Sequence, residues 1–304
     1  MAERSAVNRL VPGSSPGRGV CCSKTSHNSI SSWTNTQNMP ELPEVETRVK
    51  QLRSPCINRK ITEVHLGWPR HINTPSPVEF KQRIIGQQIK QLNRRGKFLI
   101  FTLEAEFLII HLRMSGDLYV TNSNNTIDQH AHTTITFDNS SELRFSDVRK
   151  FGRVYLMKST KQITSKLGPE PLSKKFTKSI LFNKLNSHKR MIKPLLLDQH
   201  FLAGMGNIYT DEALHLAKIH PARQSNTLSL NESTSLWRSI RQVLRDGIKN
   251  NGASIDWVYK GGNQQNYFKV YGKNNQKCTT CKELILKITI SQRGTHICPN
   301  CQKL

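Results

Sequence analysis

Two groups of residues in this chain have types and spacings that support chemistry. The first is Met39-Pro-Glu-Leu-Pro-Glu44. A proline that begins a mature polypeptide carries a free secondary amine, and an α-amino group titrates near about 8, so a useful fraction is neutral at neutral pH. Such an amine attacks an anomeric sugar carbon and expels its substituent. The iminium that forms acidifies the neighbouring C–H and permits elimination of flanking groups. Glu41, next in the chain, is placed to move the protons. The plain alternative is an ordinary helix start, since Pro43 suits a first turn and Glu41, Glu44 and Glu46 suit its positive end.

The second group is Cys278-x2-Cys281 and Cys298-x2-Cys301, with sixteen residues between the pairs. Each pair chelates from one turn, and the interval fits a β-hairpin, one strand of which is expected at Lys287–Ser291. Four protein sulfurs close the coordination shell, so one structural Zn2+ is expected; two disulfides are the alternative. The hairpin tip carries Gln292-Arg293-Gly294, where Arg293 is either a solvated turn residue or one that grips a phosphate or enters a groove. Cys21, Cys22 and Cys56 lie outside this set, which reads as a reducing compartment rather than a secreted disulfide framework.

The charge balance says what the partner is. The chain of 304 residues holds 45 Lys and Arg against 21 Asp and Glu, a net +24. That excess suits a polyanion whose counterions are released on binding, nucleic acid ahead of an anionic membrane surface or a ribosomal role. Mean hydropathy is −0.53 and no run of 18 apolar residues occurs, so no membrane span is expected.

The elements that must position these residues fall into segments. Residues 1–38 are rich in Ser, Asn, Gly and Arg and lack the apolar core of a signal peptide. Val11-Pro-Gly-Ser-Ser-Pro-Gly-Arg-Gly19 reads like the translated T-arm of a transfer-RNA gene, so a mis-assigned or disordered leader with the real start at Met39 is expected. Removing its four basic and one acidic residues from +24 leaves +21, so the basic character belongs to the rest. Val45, Val49 and Leu52 give the first helix a buried face. Strands are expected at Ile61–Leu66, Phe98–Leu103, Phe107–Leu112, His132–Phe137 and Glu142–Phe145, making 39–165 a β-sandwich with one N-terminal helix. Residues 166–173, with Gly168-Pro-Glu-Pro171, form a hinge. Residues 174–256 turn helical, with a stripe at Leu236, Ile240, Val243, Leu244 and Ile248. A loop follows around 261–266, and the zinc finger occupies 267–304. The fold class is α+β and multidomain.

Met39-Pro-Glu-Leu-Pro-Glu-Val-Glu-Thr47 resembles the N-terminal signature of the bacterial formamidopyrimidine-DNA glycosylases. The likeness continues in order through Arg94-Arg-Gly-Lys97, His111-Leu-Arg-Met-Ser-Gly116, Asp147-Val-Arg-Lys-Phe-Gly152, Leu167-Gly-Pro-Glu-Pro-Leu172, Leu202–Glu212, the four cysteines and Gln292-Arg293-Gly294. It implies a base-excision repair enzyme, a glycosylase and abasic-site lyase that removes oxidised purines from duplex DNA through a Schiff base. It also implies a helix–two-turns–helix module at Lys193–Glu212. By this resemblance Pro40 is the nucleophile and Glu41 the proton donor, with Lys97 and Arg293 beside the reacting sugar. Met114, Arg149 and Phe151 would fill the gap left by an everted nucleotide, offsetting part of the cost of unstacking it. Asn207 and Lys193 would hold phosphates, where the residues alone make Asn207 an N-cap. The implied partner is damaged double-stranded DNA, and the implied setting a bacterial cytoplasm, with the protein monomeric and near the nucleoid.

The chain departs from that pattern in three places. A retained leader would acylate Pro40. His296 stands where an aromatic is expected, and Gln264-Gln265-Asn266 lacks the basic residue expected in a lesion-sensing loop. An endonuclease of the related family preferring oxidised pyrimidines would begin Pro-Glu-Gly-Pro, against Pro40-Glu-Leu-Pro43 here. A zinc-ribbon DNA-binding protein without catalysis is the alternative from another class.

Overall fold

A computed structural model of the chain describes residues 39–254 and 261–304. The expectations for the leader lie outside the described residues.

Helix α1 (Leu42–Cys56) opens the described chain and is held by a capping box in which Glu41 and Glu44 each accept a backbone N–H near its first turn. Its apolar face is shared between two cores. Val45, Val49, Leu52 and Cys56 join the β core, whereas Leu42 joins the helical one. The β lobe follows: β1 (Ile61–Leu66), β2 (Ile72–Thr74), α2 (Pro77–Ile84), β3 (Ile89–Arg95), β4 (Phe98–Leu103), β5 (Phe107–His111), β6 (Gly116–Asn122), β7 (Ala131–Phe137), β8 (Ser141–Asp147), β9 (Arg153–Met157) and the short α3 (Lys161–Thr164). The strands form a four-stranded sheet, β1-β7-β8-β6, and a five-stranded sheet, β2-β9-β5-β4-β3. Val64, Ile135, Leu143 and Phe145 from the first meet Leu92, Phe101, Leu108 and Val154 from the second in one buried cluster. Arg48 of α1 makes a bidentate bond to Asp117 at the start of β6, at 2.5 and 2.7 Å, which locks the helix onto the sandwich.

The helical lobe contains α4 (Lys178–Asn186), α5 (Ile192–Leu197), α6 (Asn207–Leu216) and α7 (Leu230–Lys249). Helix α7 starts at a Ser229/Glu232 capping box and buries Leu236, Ile240, Val243 and Leu244 of the stripe read from the sequence, with Ile248 half-buried against the same core. Two strands, β10 (Leu286–Ile290) and β11 (Arg293–Ile297), pair antiparallel as the C-terminal hairpin. Part of the stretch expected as a loop is a 3-10 turn, Gln264–Tyr267. Gln264 there accepts from Asn250 Nδ2 at 2.7 Å and Gln265 accepts from Ser254 N at 2.9 Å, so the two amides anchor the chain end beyond 260. Among the described residues no helix is long and apolar enough to cross a membrane.

Candidate active site and nucleic-acid interface

Because α1 belongs to both cores, its N-terminus emerges between the two lobes. Leu42 N donates to Gly204 O at 3.0 Å, which fixes the entry of α1 against the tight turn before α6. Gly204 has φ +89°, and a Cβ there would lie 2.7 Å from Leu42 Cδ1, so the turn needs glycine. Glu41 is 2 % exposed. Its carboxylate accepts from Ile208 N at 2.8 Å and Tyr209 N at 3.3 Å, the first amides of α6, where a helix N-terminus favours negative charge. Burial nevertheless dominates: it pushes the Glu41 carboxyl up to about 7, against the opposing pull of Lys97 and the added push of Glu44. A carboxyl poised there both gives and takes a proton at neutral pH.

Beneath it, Glu44 receives Glu41 N at 2.9 Å, Tyr209 Oη at 2.8 Å and Ala253 N at 2.8 Å. The sequence reading placed Glu44 only at the positive end of the helix start. It is 3 % exposed and ties the start of α1 to α6 and to the segment after α7. Lys97 lies in the β3–β4 turn and is also buried; burial lowers the pKa of its ammonium, against the attraction of Glu41 and Glu44. Glu170 of the hinge steadies that turn, accepting from Arg94 at 2.8 Å, Arg95 at 3.0 Å and Gly96 N at 2.6 Å. Burial raises the pKa of Glu170, but the two arginines and the amide together hold it below the ordinary value.

Glu41, Lys97, His111, Arg113, Asn207 and Arg293 line one cavity of about 180 Å³, which Met39 also borders. Pro40, half-buried, stands in the chain between the lining residues Met39 and Glu41. The cavity thus brings together a carboxyl, an ammonium and a guanidinium from three segments far apart in the chain, beside the residue whose nitrogen is the expected nucleophile.

Asn207 and Lys193, which the resemblance makes phosphate contacts, also take part in hydrogen bonds within the fold. Gly206, not Asn207, is the N-cap of α6. Asn207 Nδ2 donates to Gly294 O at 3.0 Å, and its Oδ1 is buried without a hydrogen-bond partner among the described residues. Lys193 is 0 % exposed, because Asp211 on α6 captures its ammonium at 2.6 Å. The same ammonium donates to Thr295 Oγ1 at 2.8 Å and Gly294 O at 3.0 Å. Asp211 also accepts from His296 N at 2.9 Å, while the His296 ring packs edge-on against Tyr271 at 4.9 Å. Lys193, Asn207 and Asp211 together bolt the hairpin, and with it Arg293, to the start of α6.

Met114 and Arg149 come together on loops of the β lobe, and Phe151 follows two residues after Arg149. Phe151 is 50 % exposed, and the Arg149 guanidinium lies 4.0 Å from Met114 Sδ. Buried Asp147 joins their two loops. It accepts from Ser115 Oγ, which itself accepts from Arg149 N at 3.0 Å, and from Gly152 N at 2.6 Å. The sequence pattern gave no signal for this tie.

Cys278, Cys281, Cys298 and Cys301 place their sulfurs within 4.8 Å of one another. A tetrahedral Zn–S centre with bonds of about 2.3 Å fits that spacing, and the four residues hold one structural zinc. Val270 and Ile285 pack around it as a small separate core.

Family models match the chain along nearly all its described length. The formamidopyrimidine-DNA glycosylase N-terminal domain covers residues 39–154, the H2TH domain of the same enzymes 167–258, and the zinc finger found in FPG and IleRS 275–304. The chain belongs to the formamidopyrimidine-DNA glycosylase family. It is 43 % identical over 272 residues to the enzyme of that name from Herpetosiphon aurantiacus, and the match covers 87 % of this chain and all of the relative. Identity to the Protochlamydia amoebophila enzyme is 41 % over 275 residues, with the same coverage. A MutM structure in complex with DNA containing carbocyclic 8-oxo-G superposes with a TM-score of 0.82 at 39 % identity, over 87 % of this chain and all of that one. The Lactococcus lactis Fpg bound to DNA containing N7-benzyl-Fapy-dG gives 0.83 at 38 %, with the same coverage. Membership makes the chain a DNA glycosylase of base-excision repair with abasic-site lyase activity.

Proposed function

We propose that this chain excises oxidised purines, 8-oxoguanine opposite cytosine and ring-opened formamidopyrimidines, from duplex DNA and then cuts the strand by β,δ-elimination through a Schiff base on Pro40. The observation that carries the reading is the Glu41 carboxyl, buried next to Pro40 and held near pH 7 in the cavity that Lys97 and Arg293 share. The Pro40 nitrogen bonds to C1′ as the bond from C1′ to the base breaks, and the base leaves with a proton. Glu41 protonates the sugar ring oxygen, which opens the ring and leaves an iminium. Loss of a C2′ proton expels the 3′ phosphate, a second elimination expels the 5′ phosphate, and water then returns the free amine. Lys97 and Arg293 hold the flanking phosphates and favour their departure.

Met114, Arg149 and Phe151 fill the vacated stack, with Arg149 hydrogen-bonding the orphaned cytosine. The amine requires a chain that begins at Pro40, so translation starting at Met39 and removal of that methionine belong to the proposal. The N-terminal family model begins at residue 39, in keeping with such a start. We read the enzyme as a cytoplasmic, nucleoid-associated monomer.

The test is a duplex with one 8-oxoguanine opposite cytosine. The expected product is a one-nucleotide gap bounded by phosphates on both sides, with free 8-oxoguanine. Tight binding of that duplex without base release would instead favour a lesion-binding protein without catalysis.

A further inference from the structure

Arg113 carries a feature that the sequence pattern does not explain. It lies between His111 and Met114, in the turn after β5, with φ +57°. L residues other than Asn and Asp enter that left-handed region at a cost. Its N–H donates to His111 Nδ1 at 3.0 Å, which stabilises the turn provided that nitrogen keeps its lone pair. Burial, then the positive charges of Arg113 and Lys97, hold the His111 imidazole neutral by lowering its pKa to about 3.

The side chain of Arg113 is exposed and lines the cavity shared by Glu41, Lys97 and Arg293. Three other arginines of the β lobe are committed to carboxylates: Arg48 to Asp117, Arg94 to Glu46 and Glu170, and Arg95 to Glu170. The Arg113 guanidinium has no hydrogen bond or ion pair among the described residues. A cation with no partner among the described residues, lining a reactive cavity on a backbone that a glycine would adopt more easily, points to a use outside the folded chain itself.

We propose that Arg113 is a phosphate-binding residue of the active cleft, gripping the backbone of the damaged strand beside the sugar that Pro40 attacks. The proposal rests on the functional reading above. The planar guanidinium fork matches two phosphate oxygens, a geometry that a lysine ammonium does not reproduce. Arg113 reaches the cavity from the β lobe and Arg293 from the zinc hairpin, so a strand seated there meets a guanidinium from each.

The test titrates full-length protein, sequenced to begin at Pro40, onto a duplex holding a tetrahydrofuran abasic analogue, across a series of salt concentrations. Arg113→Gly relieves the backbone and deletes the cation, Arg113→Gln deletes only the charge, and Arg113→Lys keeps it. Arg113→Gly and Arg113→Gln should each bind about tenfold more weakly, with a log K against log salt slope shallower by about one. Arg113→Lys should keep the slope and lose less affinity. Arg113→Gly should unfold at or above the wild-type temperature.

Wild-type affinity and slope in both Arg113→Gly and Arg113→Gln, in a protein that still forms a borohydride adduct with 8-oxoguanine DNA, would overturn this assignment alone. An unfolding temperature well below wild type with an unchanged slope would also overturn it, by making the residue structural. A wild-type protein that binds the duplex yet forms no adduct overturns the functional reading on which the assignment rests.

Discussion

Gly206 lies against the carboxylate of Glu41 so closely that a Cβ on it would stand 2.2 Å from Glu41 Cδ. Its φ of −140° is extended backbone open to any residue, so space alone demands glycine. Gly206→Ala should force Glu41 off the amides of Ile208 and Tyr209. We expect base release to fall by about 100-fold or more, the scale of a misplaced general acid, while duplex binding holds. Single-turnover excision beside a binding titration checks this; wild-type excision by the variant would mean that Glu41 tolerates displacement.

The raised pKa of Glu41 fixes a stability signature. The folded protein holds this proton up to about 7, against 4.5 for the unconstrained group. The favourable contribution is therefore full below 4.5 and is lost as pH rises through 7. Glu41→Gln removes that dependence. In urea unfolding the variant should gain on wild type by up to about 3 kcal/mol at pH 8 and by only a fraction of that at pH 5, while losing lyase activity. An equal shift at both pH values would contradict the raised pKa.

Lys193 and Asp211, both fully buried, make a pair whose partners depend on each other. Lys193→Met strands a carboxylate in the interior and should cost about 3–5 kcal/mol; adding Asp211→Asn should recover much of it. A thermal melt of the single and double variants decides the matter. A Lys193→Met protein as stable as wild type, with only its salt-dependent DNA binding altered, would contradict the structural pair and leave Lys193 as a phosphate contact alone.

Zinc removal should act on binding before it acts on the fold. The metal's four sulfurs and their few apolar neighbours form a core separate from that of the β lobe. Chelation should therefore loosen the Arg293 hairpin and weaken DNA binding while the main unfolding transition persists. Unchanged affinity in protein shown by metal analysis to be zinc-free would count against Arg293 as an anchor.

The parts legible in the sequence are those whose signal is local. Strands β1 and β4 fall on the expected residues because apolar and β-branched side chains cluster within single short runs. The stripe of α7 survives because its period is helical throughout. The cysteine pairs carry their own spacing. What stayed hidden depends on partners far away in the chain. Lys193 resembles any surface lysine until Asp211 folds over it. The burial of Glu44 follows from Tyr209 and Ala253, and the Asp147–Ser115 tie follows from loops brought together by sheet pairing. Asn207 missed the cap by one residue because Gly206 must sit against Glu41, a close approach that no local pattern announces.

The central claim is that the amine of Pro40 bonds to the sugar. It is tested most directly by borohydride trapping on an 8-oxoguanine duplex, using protein whose N-terminus has been sequenced, followed by mass mapping of the cross-linked peptide. The account predicts one adduct on the peptide that begins Pro40-Glu41-Leu42, and none in protein that retains residues ahead of Pro40. An adduct on a lysine such as Lys97, or trapping by the extended chain, would contradict it.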